Sequence, residues 1–316
     1  MICVPKTPAE AQQREALFRA ILHAEYMKSV QDPEAVAKLI GFEPDDWQLK
    51  LLRSTSDRII LNCSRQVGKS TTAALLVLHQ ALAHPGSLII LVSPSLRQSS
   101  ELFRKFADAT NALPDKPEME VENRLSFEFA NGSRVVAIPA SERTTVGFSA
   151  VDLIVEDESA YVPDNIYRAL RPMLAVSKGR YIQMSTPMGK RGHFYQAWSG
   201  SKNWERYMVL AEPNQKPPAT DGRPLVFQSG CDRISPEYLA EELEELGPLW
   251  FRQFYRAEFV ELVDQIFTEA MIASAFAGGR EKKVTALFGA KVGAIDPIIT
   301  LAPKVKSSAL FGGLVR

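Results

Sequence analysis

Cysteine is scarce in this chain. Only Cys3, Cys63 and Cys231 occur among 316 residues, an odd number spread far apart. That usage argues against a disulfide framework or a cysteine zinc site and points to a reduced, intracellular setting. No apolar run reaches the roughly 18 residues of a membrane span. No basic stretch leads into an apolar one after Met1-Ile2-Cys3-Val4-Pro5-Lys6, so no signal peptide is expected. Net charge is missing too, since 37 Lys and Arg balance 37 Asp and Glu. Without a global positive field, any nucleic-acid binding must use local patches. The zero hides one asymmetry: from Arg280 onward there are seven basic and two acidic residues, leaving 30 basic against 35 acidic before it.

What is present suits a globular protein. The apolar share is 46%, enough for a full core. The length fits one large α/β domain plus a smaller one. Thr7-Pro8-Ala9-Glu10 reads as an N-cap, a first-turn proline and an acidic first turn, predicting a helix to about Ser29. Asp32-Pro33-Glu34 predicts a short helix ending near Gly41, and a third starts at residues 44–47. In the third, Trp47 and Leu51 are spaced to pack inward while Gln48 lies on another face.

The chain is organised around residues 58–71. Arg58-Ile59-Ile60-Leu61-Asn62-Cys63 reads as a buried strand, Ser64-Arg65-Gln66-Val67 as a loop, and Gly68-Lys69-Ser70-Thr71 as the start of an apolar helix. Strand, loop, Gly-Lys-Ser and helix form the context of a phosphate-binding P-loop. Unpaired N–H groups at the helix start, with its positive dipole end, favour a polyanion. Lys69 can reach phosphates and the Ser70 hydroxyl can ligate Mg2+. Cys63 stands where the first glycine of G-x-x-x-x-G-K-[ST] is usual.

Continuous apolar runs at 87–93, 151–156 and 179–185 predict strands buried on both faces of a parallel sheet. Helices are expected near 97–110 and from Pro163 to about Leu174, and a hairpin over Arg124–Phe129 and Arg134–Ile138. Alternating strands and helices imply a three-layer, mostly parallel α/β sheet that binds ligands beyond the strands' carboxyl ends. Residues 213–224 read as a loop. A Ser235-Pro236 start predicts a helix to Leu246, Gly247-Pro248 a break, and residues 249–259 an aromatic helical run. No repeat occurs.

Asp157-Glu158 ends the strand expected at 151–156. Adjacent carboxylates at the binding edge suit Mg2+ binding by Asp157 and polarisation of an attacking water by Glu158. Glu156, one residue back, faces the other way by alternation and reads as structural. Ser185-Thr186-Pro187 ends the next strand, either as a sensor of the γ-phosphate or as a plain strand-ending turn.

As an ordered set, these motifs resemble the large terminase subunit of tailed bacteriophages over roughly residues 40–270. The set is Ser64-Arg65-Gln66-Val67-Gly68-Lys69-Ser70, Leu153-Ile154-Val155-Glu156-Asp157-Glu158, Ser185-Thr186-Pro187-Met188-Gly189 with His193-Phe194-Tyr195, and the segments from Ile234-Ser235-Pro236-Glu237 to Phe254-Tyr255. The resemblance implies a RecA-like (ASCE) P-loop NTPase with a small helical lid subdomain, acting as the ATPase motor that pumps viral DNA into a procapsid. It implies ATP and Mg2+, a catalytic arginine at Arg65, an adenine contact at Gln48, and coupling of hydrolysis to movement by Ser185-Thr186-Pro187. It implies double-stranded DNA, a portal protein and a small terminase subunit as partners, a homo-oligomeric ring, no membrane, and the host cytoplasm as the site of action. The expected divisions are an N-terminal helical segment (1–40), an ATPase core (41–205), a lid or linker (206–270) and a basic tail (271–316).

Departures from the pattern are visible. Val146-Gly147-Phe148 stands where Arg-Gly is frequent, with Arg143 the nearest upstream cation. Large terminases continue into a nuclease built on several carboxylates, whereas only Glu281 and Asp296 follow Glu269. No nuclease domain is therefore expected. A helicase-like translocase using the same core, or a catalytically silent remnant acting as a binding module, are the alternative readings.

Overall fold

Helices begin at Pro8 and, behind the Asp32 side-chain cap, at Pro33 in the computed structural model. It describes residues 8–261, apart from 115–116, 118, 124, 142–146, 201–202, 213–224, 226 and 232. The chain divides into two units, Met1–Asp264 and Gln265–Arg316, and every described residue falls in the first. The expected basic tail, the 213–224 loop and Arg143 lie outside the described residues.

Helix α1 (Pro8–Ser29) is followed by α2 (Pro33–Leu39), whose N-cap Asp32 accepts a hydrogen bond from the Glu34 N–H. Gly41, at φ +72°, ends α2, with the Phe42 N–H donating to the Ala37 carbonyl at 2.9 Å. This six-to-one bond needs a left-handed residue, which glycine adopts without strain. Helix α3 (Asp46–Arg53) buries Trp47 and Leu51, as the spacing predicts.

Nine strands form one sheet among the described residues, in the order β3-β4-β5-β2-β6-β7-β1-β8-β9. They are β1 (Arg58–Cys63), β2 (Leu88–Ser93), β3 (Met119–Asn123), β4 (Ser126–Phe129), β5 (Arg134–Pro139), β6 (Leu153–Asp157), β7 (Arg180–Ser185), β8 (Glu205–Leu210) and β9 (Phe227–Gly230). From β5 to β9 all neighbours run parallel, while β3, β4 and β5 form an antiparallel meander.

Side-chain alternation splits the core into two layers. Ile59, Leu61 and Cys63 of β1 pack with α2, α3, α4 (Lys69–Ala83) and α5 (Leu96–Asn111) on one face. Ile60 points the other way, against Phe194, Ala197 and Trp198 of α7 (Gly192–Gly200). Helix α6 (Asp164–Leu170) covers the same face over β2 and β6. Phe106, Phe127 and Phe129 fasten α5 to the meander, with Phe106 and Phe127 edge to face at 5.5 Å. Such pairs contribute roughly 0.5–1.5 kcal/mol beyond the area they bury.

Three expectations need correction. The sheet does not stop at residue 205, because β8 pairs with β1 and β9 extends it, so the boundary placed there cuts through the core. The helix from Pro163 ends at Leu170 and Arg171–Leu174 tightens into a 3₁₀ turn at Pro172, which has no N–H to donate. The aromatic run leaves the helix earlier than expected. Helix α8 (Pro236–Tyr255) stops before Ala257, which takes φ +50°. The break at Gly247-Pro248 is present as a residue at φ 73°, ψ 166° inside α8.

Candidate nucleotide site

The carboxyl ends of β1, β6 and β7 converge, with β7 hydrogen-bonded on both sides between the other two. The loop after β1 turns through Gln66 at φ 62° and Gly68 at φ 95° before α4 begins at Lys69. A Cβ at Gly68 would lie 3.2 Å from Gln48 Nε2, so the backbone here is both left-handed and closely approached.

Lys69 is 7% exposed, and its ammonium reaches across the loop. Its Nζ donates to the Ser64 carbonyl at 3.3 Å and to Thr186 Oγ1 at 3.2 Å, and lies 3.8 Å from Glu158 Oε1. One lysine thus touches three of the sequence-predicted segments. Ser70 Oγ donates to Asp157 Oδ2 at 3.2 Å. Burial, followed by the neighbouring Glu158 charge, pushes the Asp157 carboxyl up to about 6, against the opposing pull of Lys69 and the Ser70 hydroxyl. A buried carboxylate with too little positive charge, beside a hydroxyl at 3.2 Å, is a donor set that fits a hard divalent cation such as Mg2+.

Glu158 follows in the left-handed region, at φ 51°, ψ 44°. Its N–H donates to Asp157 Oδ1 at 3.0 Å, and its Oε2 accepts from Ser185 Oγ at 3.2 Å. The Ser185 hydroxyl also lies 2.7 Å from the Thr186 carbonyl. Pro187 follows as the chain leaves β7. Glu156 is fully buried on the opposite side of β6, where it meets Ser159, Tyr181, Gln183 and His193. This agrees with its structural reading.

Gln48 is buried beneath the loop. Its Nε2 donates to Thr72 Oγ1 at 2.8 Å, Thr72 Oγ1 donates to the Gly68 carbonyl at 3.0 Å, and its Oε1 accepts from the Asp45 N–H at 2.9 Å. Cys63, in the place of the usual glycine, points into the core beside α4, and burial pushes its thiol up to about 12. Val67 is buried too, while Arg65 and Gln66 are exposed.

Sequence reasoning missed the hold that α8 has on this loop. The Arg65 N–H donates to the Phe254 carbonyl at 2.9 Å, and the Arg65 guanidinium stacks 3.7 Å from the Phe254 ring centroid. Ser64 Oγ donates to the Tyr255 carbonyl at 2.6 Å and accepts from the Ala211 N–H at 3.1 Å. Asn62 Nδ2 donates to the Ala257 carbonyl at 2.8 Å. Arg233, just before α8, pairs with Asp45 at 2.7 Å and lies over Gly68. The aromatic run at 249–255 was the available signal, but it carries no register to the loop.

A mostly parallel α/β sheet, with a third strand between the P-loop strand and the strand ending in two acids, is the RecA-like class of P-loop NTPase fold. Residues 60–274 match the family described as terminase large subunit, T4likevirus-type, N-terminal. The chain therefore belongs to the large terminase subunit family. The large terminase subunit of Thermus virus P23-45 is 27% identical over 264 residues, covering 77% of this chain and 54% of that protein. The chain thus spans about half the length of the curated relatives it matches. The large terminase ATPase domain of Thermus phage P74-26 superposes with a TM-score of 0.56 at 22% identity, covering 71% of this chain and 97% of that one. The large terminase of a thermophilic bacteriophage, solved in complex with ADP, gives 0.50 at 11% identity, covering 69% of this chain and 54% of that one.

Proposed function

We propose that this chain is the ATP-hydrolysing motor domain of a phage or prophage large terminase, driving double-stranded DNA into a procapsid. The observation that carries the reading is the meeting of Lys69, Ser70, Asp157, Glu158 and Thr186 at one sheet edge. ATP is the substrate. The N–H groups of Gln66, Val67, Gly68, Lys69, Ser70 and Thr71 surround its phosphates, Ser64 anchors the start of the loop with its N–H on the Val209 carbonyl, and Lys69 moves from Ser64 and Thr186 onto the β- and γ-phosphates. Gln48 turns its amide from Thr72 to contact the adenine. Ser70 and Asp157 hold Mg2+, which supplies charge neutralisation on the phosphate oxygens when bound.

Glu158 accepts a proton from the lytic water as the water oxygen bonds to the γ-phosphorus and the bond from that phosphorus to the β-γ bridging oxygen breaks, releasing ADP and phosphate. Ser185 Oγ, 3.2 Å from Glu158 Oε2, helps to orient that carboxylate. Arg65 stabilises the charge that develops on the transferred group, a role worth up to about 10³–10⁵-fold for an arginine finger. Ser185-Thr186-Pro187 relays hydrolysis to the segment that follows. The portal protein, a small terminase subunit and further copies of the chain in a ring complete the motor in the host cytoplasm.

Glu158→Gln keeps the shape and removes the base. ATPase turnover should fall about 10²–10⁴-fold while ATP binding, measured by calorimetry, survives. Wild-type turnover in that variant removes Glu158 from its role. No ATP binding by the wild-type chain at millimolar nucleotide would instead favour the silent binding module.

A further inference from the structure

His193 is a motif residue without a part in the site as described. Its hydrogen bonds go to neither Lys69, Ser70, Asp157 nor Glu158. It is 4% exposed and lies at the second residue of α7. Nε2 sits 3.1 Å from Ser159 Oγ and 3.2 and 3.3 Å from the two carboxylate oxygens of Glu156. On the other side, Nδ1 lies 3.1 Å from Asp164 Oδ1, which also accepts from the His193 N–H at 2.8 Å. The ring stacks on Tyr167 at 4.4 Å, with planes 8° apart.

The sequence positions of these partners matter. Glu156 precedes Asp157, and Ser159 follows Glu158. One imidazole therefore grips both flanks of the acidic pair, and Ser159 Oγ closes the ring by donating to Glu156 Oε2 at 2.8 Å. Between the flanks, Glu158 holds a left-handed backbone at φ 51°. For an L residue that conformation is strained, and it persists only where surrounding contacts impose it. Release of Ser159 removes one side-chain restraint on that turn, beside the Glu158 N–H bond to Asp157 Oδ1. At the same time His193 belongs to the helix reached directly after Ser185-Thr186-Pro187 and residues 188–191. Gly192, at φ +75°, is the entry point.

We propose that His193 is a positioning residue for Glu158, tying the turn that carries the carboxylate to the segment leaving the coupling motif. The inference rests on the ATPase reading given above. Movement of the segment after Thr186 then reaches Glu158 through His193 and Ser159, independently of the direct Ser185 contact. The Ser159–His193–Asp164 geometry is not a hydrolase triad. Ser159 is fully buried and its hydroxyl is directed to Glu156, so no substrate can reach it.

The test uses the full chain and Mg·ATP. His193→Asn places its amide on the Asp164 side and loses Ser159 and Glu156. His193→Gln extends its amide to the Nε2 position and keeps them. Ser159→Ala cuts the same link with a minimal change of volume. The expected result is a kcat lower by about 10-fold or more in His193→Asn and Ser159→Ala, with KM and ATP affinity held within about twofold. His193→Gln should recover kcat to within about threefold of wild type. A purely structural cluster would lower the melting temperature of both histidine variants without separating their kcat values. Wild-type kcat in Ser159→Ala, while Glu158→Gln is inactive, overturns the proposal and leaves the ATPase reading intact. That comparison decides even where His193→Asn does not fold. Wild-type turnover in Glu158→Gln removes Glu158 from its role and this inference with it, whereas no turnover by the wild-type chain overturns the ATPase reading.

Discussion

Gln48→Leu separates two roles that one buried amide can play. Leucine keeps the apolar volume and removes both polar functions. The first loss is the 2.8 Å bond to Thr72 Oγ1, which is fully buried. Thr72 still donates to the Gly68 carbonyl, so it loses an acceptor role and not its donor bond, a change of about 1 kcal/mol. The second loss is the bond from the Asp45 N–H, a part-buried group that water can partly satisfy, for about 0.5–1 kcal/mol more. The sum, about 2 kcal/mol, corresponds to roughly 4–8 °C in melting temperature for a domain of this size. Thermal denaturation without nucleotide, alongside ATP and GTP affinities by calorimetry, reads both roles. A brace for the P-loop gives the stability loss with or without nucleotide. Paired with Thr72→Val, it gives a double-mutant coupling of about 1 kcal/mol. An unchanged melting temperature would refute the brace and leave Gln48 as a reader of the base alone.

Four further outcomes follow from the geometry. Cys63→Gly, which restores the usual P-loop glycine, should cost about 2 kcal/mol of stability through lost burial and backbone entropy and should leave ATP affinity within twofold. In the folded wild-type chain the same thiol should resist alkylation, because burial keeps it protonated. Gly179→Ala places a Cβ 2.1 Å from the Val151 carbonyl oxygen, so urea denaturation should show a loss of at least about 2 kcal/mol. The fourth concerns pH. Burial draws the His193 imidazole down, but Glu156 and Asp164 together draw it further up, to above its ordinary value. Tyr167 stacks on the ring, and Tyr181 donates to the Glu156 carboxylate that faces it. Its contribution is whole below the unfolded value near 6.5 and is lost as pH rises through the higher folded value. The melting temperature should therefore fall as pH rises above about 6.5, and His193→Gln should flatten that slope.

Much of this was legible in the chain itself, for a physical reason. Strands β1, β2, β6 and β7 are buried on both faces, so they read as unbroken apolar runs. Lys69, Ser70, Asp157 and Glu158 sit at or just beyond strand ends, where local order and spatial order coincide. β8 was obscured because it opens on Glu205-Arg206. Arg206 is nevertheless 2% exposed, its guanidinium covered by the Trp198 ring at 4.3 Å. β3, with its Met119-Glu120-Val121-Glu122 alternation, has the polarity of an edge and no flanking apolar run. The grip of α8 on the P-loop was illegible for another reason. Its partners are 191 and 195 residues apart in the chain, beyond any local pattern.

That separation bears on how the molecule comes into being. The loop's motif is made early in synthesis, but its shape depends on carbonyls at Phe254, Tyr255 and Ala257. Closing so long a loop precedes any contact that rewards it, which makes such pairings slow and late. A nascent chain therefore carries the phosphate-binding sequence long before it has a phosphate-binding surface. On the proposed ATPase reading, competence for nucleotide follows the docking of α8 and Ala257, so nucleotide bound by this loop would report a domain whose synthesis has passed residue 257.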